Sequence, residues 1–181
     1  MKRIITIGRE FGSGGREVGR RLAERLNIAY YDREIIDELM KRTQLAESYV
    51  LQVEESRPLP LLPITTARTF GIPTNYTLEN RLSIYKQESE IIREMAEKSD
   101  CIIVGRCAND ILKSRPTSRS IFIHAPLDYR LQTVMERTSL EEKEALSLIK
   151  KVDKQRKFYY NYYTDKKWEE MSQYDLCLDS S

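Results

Sequence analysis

The sequence is short of several things, and each shortage closes off a class of protein. It has three cysteines (Cys101, Cys107 and Cys177), an odd number with no CxxC pair. That leaves no disulfide framework and no cysteine zinc site, and it fits free thiols in a reducing cytoplasm. No apolar run approaches the ~18 residues a membrane span needs, and Met1–Ile7 is too short an apolar stretch for a signal peptide. A cytoplasmic location without membrane attachment is therefore expected. An excess of one charge is also missing. Lys and Arg total 30 against 28 for Asp and Glu, a net charge of +2. That balance argues against a dedicated nucleic-acid binder. There is no internal repeat and no low-complexity tract, and 40% hydrophobic with 32% charged residues excludes collagen-like and mostly disordered chains. The single histidine, His124, ends an apolar run and reads as a core residue rather than a catalyst.

Glycine is scarce too, at seven in 181 residues, which makes its distribution informative: Gly8, Gly12, Gly14 and Gly15 fall within eight positions. They follow a β-branched run, Arg3–Ile7, and precede a helical pattern over 16–26 in which Val18, Leu22 and Leu26 recur every four residues as the expected buried side. Similar alternation continues along the chain. Short strands are expected at 28–31, 101–105, 120–124 and 174–178. Helices are expected at 33–41 and about 76–98, the latter burying Leu82, Tyr85, Ile92, Met95 and Ala96. Pro58, Pro60, Pro63 and Pro73 mark 57–74 as a loop. Strands alternating with helices predict one α/β domain with a mainly parallel sheet, whose ligands bind beyond the carboxyl ends of the strands. Residues 8–17, 32–34 and 105–107 all fall at such ends.

The segment Gly8-Arg9-Glu10-Phe11-Gly12-Ser13-Gly14-Gly15-Arg16-Glu17 has the strand–loop–helix context of a phosphate cradle. Glycines let backbone N–H groups close on an anion, and a helix N-terminus adds partial positive charge. The usual P-loop pattern expects lysine where Gly15 stands, and Ser or Thr where Arg16 stands. A glycine-rich turn without a ligand is the plain alternative. Arg16, one residue past the vacant slot, is the candidate to replace the lysine, because a guanidinium can fork onto two phosphate oxygens. Ser13 is the one loop hydroxyl on offer to a magnesium ion, which would otherwise be held by nucleotide phosphates and water. Further along, residues 143–168 hold eight Lys or Arg against three acids (Glu144, Asp153, Asp165). Lys150, Lys154 and Lys157 share one helical face, which a solvated basic surface would also explain. Arg156 is the stronger candidate for phosphate clamping. Asp32 ends a strand before a helix, as an N-cap does, and also stands at the crevice. Arg106 follows a strand-end glycine. Cys107 reads as a small packing residue, and the aromatics Phe158, Tyr159, Tyr160, Tyr162, Tyr163 and Trp168 as packing groups.

These residues together resemble the cytidylate kinase-like group of P-loop nucleoside monophosphate kinases. The likeness is carried by Ile4–Glu17, Tyr30-Tyr31-Asp32-Arg33-Glu34, Val104-Gly105-Arg106, Phe122-Ile123-His124-Ala125-Pro126 and Lys150–Arg156. Tyr159 through Trp168 and Tyr174–Leu178 also fit. The resemblance implies a three-layer P-loop fold with a core of 1–32, 99–136 and 156–181, an acceptor-binding insertion at about 33–98 and a lid at about 137–155. It implies ATP with Mg2+ as phosphate donor and small nucleotides as partners, CMP or dCMP first, in a monomer or weak homodimer. Gly8, Gly12, Ser13, Gly14, Gly15, Arg16 and Glu17 would hold the donor phosphates. Asp32, Arg33 and Arg106 would hold the acceptor. Arg130, Arg137 and Lys154 would belong to the lid, and Arg16, Lys150 and Arg156 would act on the transferring phosphate. Such kinases usually continue past their last strand, so a natural chain slightly longer than 181 residues is expected. Gly15 in place of lysine, Cys107 where Asp follows Gly-Arg, and Thr133 and Val134 in place of further arginines mark a divergent branch. A P-loop kinase for another small acceptor, and a nucleotide or anion binder without turnover, remain as alternatives.

Overall fold

The computed structural model describes residues 2–45 and 74–181, with the backbone alone for 74–80. The proline-rich stretch 57–73 lies outside the described residues. Five strands form one parallel sheet: β1 (Ile4–Arg9), β2 (Ala29–Tyr31), β3 (Cys101–Val104), β4 (Ser118–His124) and β5 (Leu176–Asp179), in the order β2-β3-β1-β4-β5. β1 pairs with β3 on one side (Ile4 opposite Cys101) and with β4 on the other (Ile4 opposite Ser118). β3 is buried on both faces, which is why it reads as an unbroken apolar run. β5, expected at 174–178, begins two residues later, because Tyr174 is drawn into the aromatic cluster described below.

The helices are α1 (Gly15–Leu26), α2 (Arg33–Thr43), α3 (Thr74–Lys98), the short α4 (Ala108–Ile111), α5 (Leu127–Thr138) and α6 (Glu142–Thr164). One core, including Ile35, Leu39, Ile91, Ile92, Ile103 and Leu112, joins α2, α3 and α4 to one face of the sheet. A second, with Ile7, Ala23, Ile102, Val104 and Ile123, seats α1 on the other. Each such aliphatic side chain contributes about 1.5–3 kcal/mol when fully buried.

One expected helix face, in α1, and one expected core residue, Leu82 in α3, are corrected; Ile92, Met95 and Ala96 are buried as expected. In α1 the buried residues are Gly15, Gly19 and Ala23, while Val18 and Leu26 are exposed. The helix lies too close to the sheet for larger groups: a Cβ on Gly19 would sit 3.0 Å from Ile7 Cδ1 and 3.2 Å from the Tyr30 ring. In α3 the buried stripe runs through Ile84, Glu88, Ile91, Ile92 and Met95, and Leu82 is exposed. Leu82 lies about 200° round the helix from Ile84, on the far side of the core.

Candidate functional site

The glycine loop is held open by its own backbone. Gly12 and Gly14 have φ of +83° and +72°, the left-handed region that L side chains avoid. Gly14 is the N-cap of α1, and a Cβ there would meet nothing within 4 Å. By helix geometry the N–H groups of Gly15, Arg16 and Glu17 have no partner inside α1 and stand at its positive end. Ser13 is buried, with its hydroxyl 2.9 Å from the Glu10 carbonyl and 3.1 Å from the Ile123 carbonyl. That hydroxyl is committed to backbone oxygens, so in this geometry magnesium would be left to phosphate oxygens and water. The C-terminal end braces the loop: Ser180 Oγ donates to the carbonyls of Ser13 (2.6 Å) and His124 (3.1 Å).

Beside the loop, Asp32 gathers arginines. Its side chain does not cap α2. It ion-pairs instead with Arg16 (Nε to Oδ2, 2.7 Å), Arg106 (3.7 Å) and Arg9 (3.9 Å). The reading of Asp32 as a simple N-cap is thereby corrected: the Asp32 N–H is taken by the Glu34 carboxylate at 2.9 Å, and the Asp32 carboxylate turns to the guanidiniums. Arg16 is 64% exposed, at the rim, whereas the side chains of Arg9 and Arg106 are only 12% and 9% exposed. Arg106 donates to the Asp32 carbonyl (3.1 Å), and its Nε lies 2.9 Å from the buried Glu88 carboxylate of α3. Glu88 in turn accepts from Tyr159 of α6.

The backbone that aims Arg106 is strained. Gly105, Arg106 and Cys107 have φ of +80°, +51° and +54°, three left-handed residues in a row. Left-handed non-glycine residues cost about 1–3 kcal/mol each where they persist, and they cluster at functional sites. Arg156, on α6, donates to the Arg9 carbonyl (3.0 Å), and its guanidinium carbon lies 5.6 Å from the Phe11 ring centre. Burial, opposed in part by Asp153, pushes Arg156 down to about 10. Burial and then the charge of Arg156 push Arg9 well below its ordinary value, against the pull of Asp32. Positive charge is under-compensated here.

These four arginines border one cavity of about 240 Å³. Val152, Gln155, Arg156, Tyr159 and Tyr160 form its wall from α6, at the i, i+3, i+4 spacing of one helical face. The sheet contributes Thr6 and Gly8, and Cys107, Trp168 and Tyr174 close the far end. Cys107 packs with Phe122, Tyr160, Trp168 and Tyr174, as its reading as a packing residue expected.

Other candidates fall elsewhere. Lys150 and Lys154 are exposed on α6, and Arg137 is exposed at the end of α5. Arg33 is 68% exposed and lies 3.9 Å from Asp37. Glu17 bonds to Arg20 and Arg21 on the outer face of α1, and those bonds lower its carboxyl to about 2. Arg130 is buried and closed on itself. It donates to the carbonyls of Ala125 (3.1 Å) and Phe11 (3.2 Å) and to Asp153 (2.6 Å), and lies 3.4 Å from Glu10. Asp153 also accepts the Phe11 N–H at 2.7 Å. Arg130 thus bolts α5, α6 and the loop together. The expected boundary between lid and core at 155/156 falls within the unbroken α6.

Sequence reasoning missed Arg9 and Glu88, and read Tyr159 as a packing aromatic rather than as the donor to Glu88. Arg9 reads as an ordinary loop position, and its only signal is spatial: a Cβ on Gly105 would lie 2.0 Å from Arg9 Nη1, and one on Gly15 2.5 Å from Arg9 Cβ.

A model of the cytidylate kinase-like family matches residues 4–181. The chain belongs to this family. It is 27% identical over 187 residues to a cytidylate kinase of Methanopyrus kandleri, covering 98% of this chain and 84% of that one. Among solved structures it is similar to an uncharacterized protein from Eubacterium ventriosum, with a TM-score of 0.73 at 35% identity, covering 98% of this chain and 88% of that one. It also shares the fold of a shikimate kinase from Bacteroides thetaiotaomicron, with a TM-score of 0.54 at 15% identity, covering 98% and 86%. The P-loop kinase fold of the cytidylate kinase-like family is thus the fold of this chain.

Proposed function

We propose that the protein transfers the γ-phosphate of ATP to a nucleoside monophosphate, CMP or dCMP first. The observation that carries this reading is one cavity at the carboxyl ends of β1 and β3 that Arg9 and Arg16, at the two ends of the glycine loop, border together with Arg106 and Arg156. Phosphoryl transfer asks the protein for positioning and positive charge rather than covalent help.

In this reading the N–H groups of residues 12–16 hold the donor phosphates. Arg16 stands in for the absent lysine, since its bond to Asp32 runs through Nε and leaves the end of the fork without a hydrogen bond among the described residues. Arg156, fixed by the Arg9 carbonyl, spreads positive charge over the transferring phosphate. Asp32 and Arg106 orient the acceptor. No group of three metal-ligating side chains occurs among the described residues. Magnesium, supplied with ATP, would neutralise charge between the phosphates. A coupled ADP-release assay over a panel of nucleoside monophosphates tests the proposal: turnover with CMP or dCMP is expected, and absence of turnover with every monophosphate would overturn it. Turnover with a non-nucleotide acceptor selects the neighbouring reading of a kinase for another small molecule. Binding of ATP without turnover selects a non-catalytic binder, which Gly15 in place of lysine favours.

A further inference from the structure

The fold does not account for the burial of Arg9. Its side chain is 12% exposed, and its nearest carboxylate, Asp32, is 3.9 Å away, beyond hydrogen-bond reach. Its Nε is buried without a hydrogen-bond partner among the described residues. Asp32 meets Arg16 through Oδ2 at 2.7 Å; its Oδ1 faces Arg106 at 3.7 Å and Arg9 at 3.9 Å and makes no hydrogen bond among the described residues, so Asp32 lends Arg9 charge without occupying its donors. A guanidinium carries five N–H donors and keeps its charge in proteins, and burying it under-paired is costly. Yet two separate elements make room for it. Gly15 at the start of α1 and Gly105 after β3 both lack the side chain that would collide with it. A second orphan lies in the same cavity: Thr6 Oγ1, on the sheet face, is buried with no partner among the described residues.

Two buried, unpartnered polar groups in one cavity point to a ligand that supplies what they lack. We propose that Arg9 is the receptor for the phosphate of the acceptor, a phosphomonoester, with Arg106 and Arg156 flanking it and the organic part running along the sheet face toward Thr6. A phosphate dianion presents paired oxygens to the Arg9 fork and supplies the charge that Asp32 alone does not. The acceptor, rather than the donor, is indicated because the cavity runs from Arg9 to Arg106 and Thr6 on the sheet, while of the donor loop Gly12, Ser13, Gly14 and Gly15 do not line it and Arg16 alone stands between the two. The assignment rests on the kinase reading for the identity of the acceptor, but not for the existence of the anion site.

Calorimetric titration of inorganic phosphate and of CMP, at constant ionic strength, into wild type, Arg9→Met and Arg9→Lys tests it. Methionine keeps the stem and removes the charge. Arg9→Met is expected to weaken both ligands about ten- to a hundredfold, the range of a lost charge-assisted bond. Lysine, a point charge without the fork, should fall between. Thr6→Val is expected to weaken CMP and leave inorganic phosphate unchanged. In the coupled assay Arg9→Lys should raise KM for the acceptor and leave KM for ATP alone. Wild-type affinity for phosphate in folded Arg9→Met, or no phosphate binding by wild type, overturns the site. A rise in KM for ATP alone overturns its assignment to the acceptor. Failure of CMP to turn over counts against the kinase reading, whereas the phosphate titration decides the Arg9 site by itself.

Discussion

Two largely enclosed arginines, Arg9 in the glycine loop and Arg130 on α5, are treated in opposite ways. Arg130 is surrounded by acceptors: two carbonyls, the Asp153 carboxylate and, at 3.4 Å, Glu10. Arg9 has one carboxylate at 3.9 Å and an orphan Nε. A guanidinium that belongs to the scaffold is closed by the scaffold. One that is buried but left open marks where an anion belongs. Composition cannot separate the two, since both are arginines in an evenly charged chain; partner geometry does.

The largest effect expected from breaking this contrast is kinetic. Arg156 lies on the open side, and Arg156→Met should lower kcat in the coupled assay on the order of a thousandfold, with the fold retained by circular dichroism. On the closed side, Arg130→Met leaves Asp153 and Glu10 without their main cation. It should cost about 3 kcal/mol in urea unfolding, the scale of a broken buried pair, and do so without any ligand present. Gly105→Ala sharpens the comparison from the other direction. Its Cβ would lie 2.0 Å from Arg9 Nη1 at a φ of +80°. A loss of about 1–2 kcal/mol from the left-handed strain is expected, together with weaker phosphate binding as Arg9 is displaced. The smallest effect belongs to a carboxylate outside both clusters. Glu17 bonds Arg20 and Arg21, which lower it to about 2. A lowered folded-state value contributes stability above the ordinary carboxyl range, and that contribution fades as pH falls from about 4.5 toward 2. The Tm of Glu17→Gln should therefore lie slightly below wild type at pH 7 and meet it near pH 2.

The sheet, the helix order and the glycine loop were legible because periodicity and glycine spacing are local signals. The apolar run at 101–104 could only be a buried strand, and Gly12 and Gly14 sit where left-handed backbone is needed. The buried face of α1 was not legible. The small residues Gly15, Gly19 and Ala23 face the sheet because of how closely the helix approaches it, a distance no periodicity encodes. Within the site, Arg16, Asp32, Arg106 and Arg156 stand at strand ends or on the basic helix, where sequence reasoning looks first. Arg9 and Glu88 do not. One lies inside a loop motif, and the other is an acid in a long amphipathic helix. Their surroundings are built by contacts between distant parts of the chain, such as Arg106 with Asp32, 74 positions apart, and by the room over Gly105 that the Arg9 guanidinium fills. Arg130, expected with the lid, is tied to the loop and to α6 through Phe11 and Asp153, contacts that no local pattern announces.

The central claim is that Arg9 is held for an anion and Arg130 for the fold. A ligand that binds only the native state raises its stability by mass action, so urea midpoints with and without inorganic phosphate, at matched ionic strength, put the claim to the test. In wild type and in a partly destabilised Arg130→Met, phosphate should raise the midpoint by similar amounts. In Arg9→Met the ligand-free midpoint should be equal to wild type or higher, and phosphate should shift it far less. A loss of several kcal/mol in ligand-free Arg9→Met, with an undiminished phosphate shift, would contradict the account.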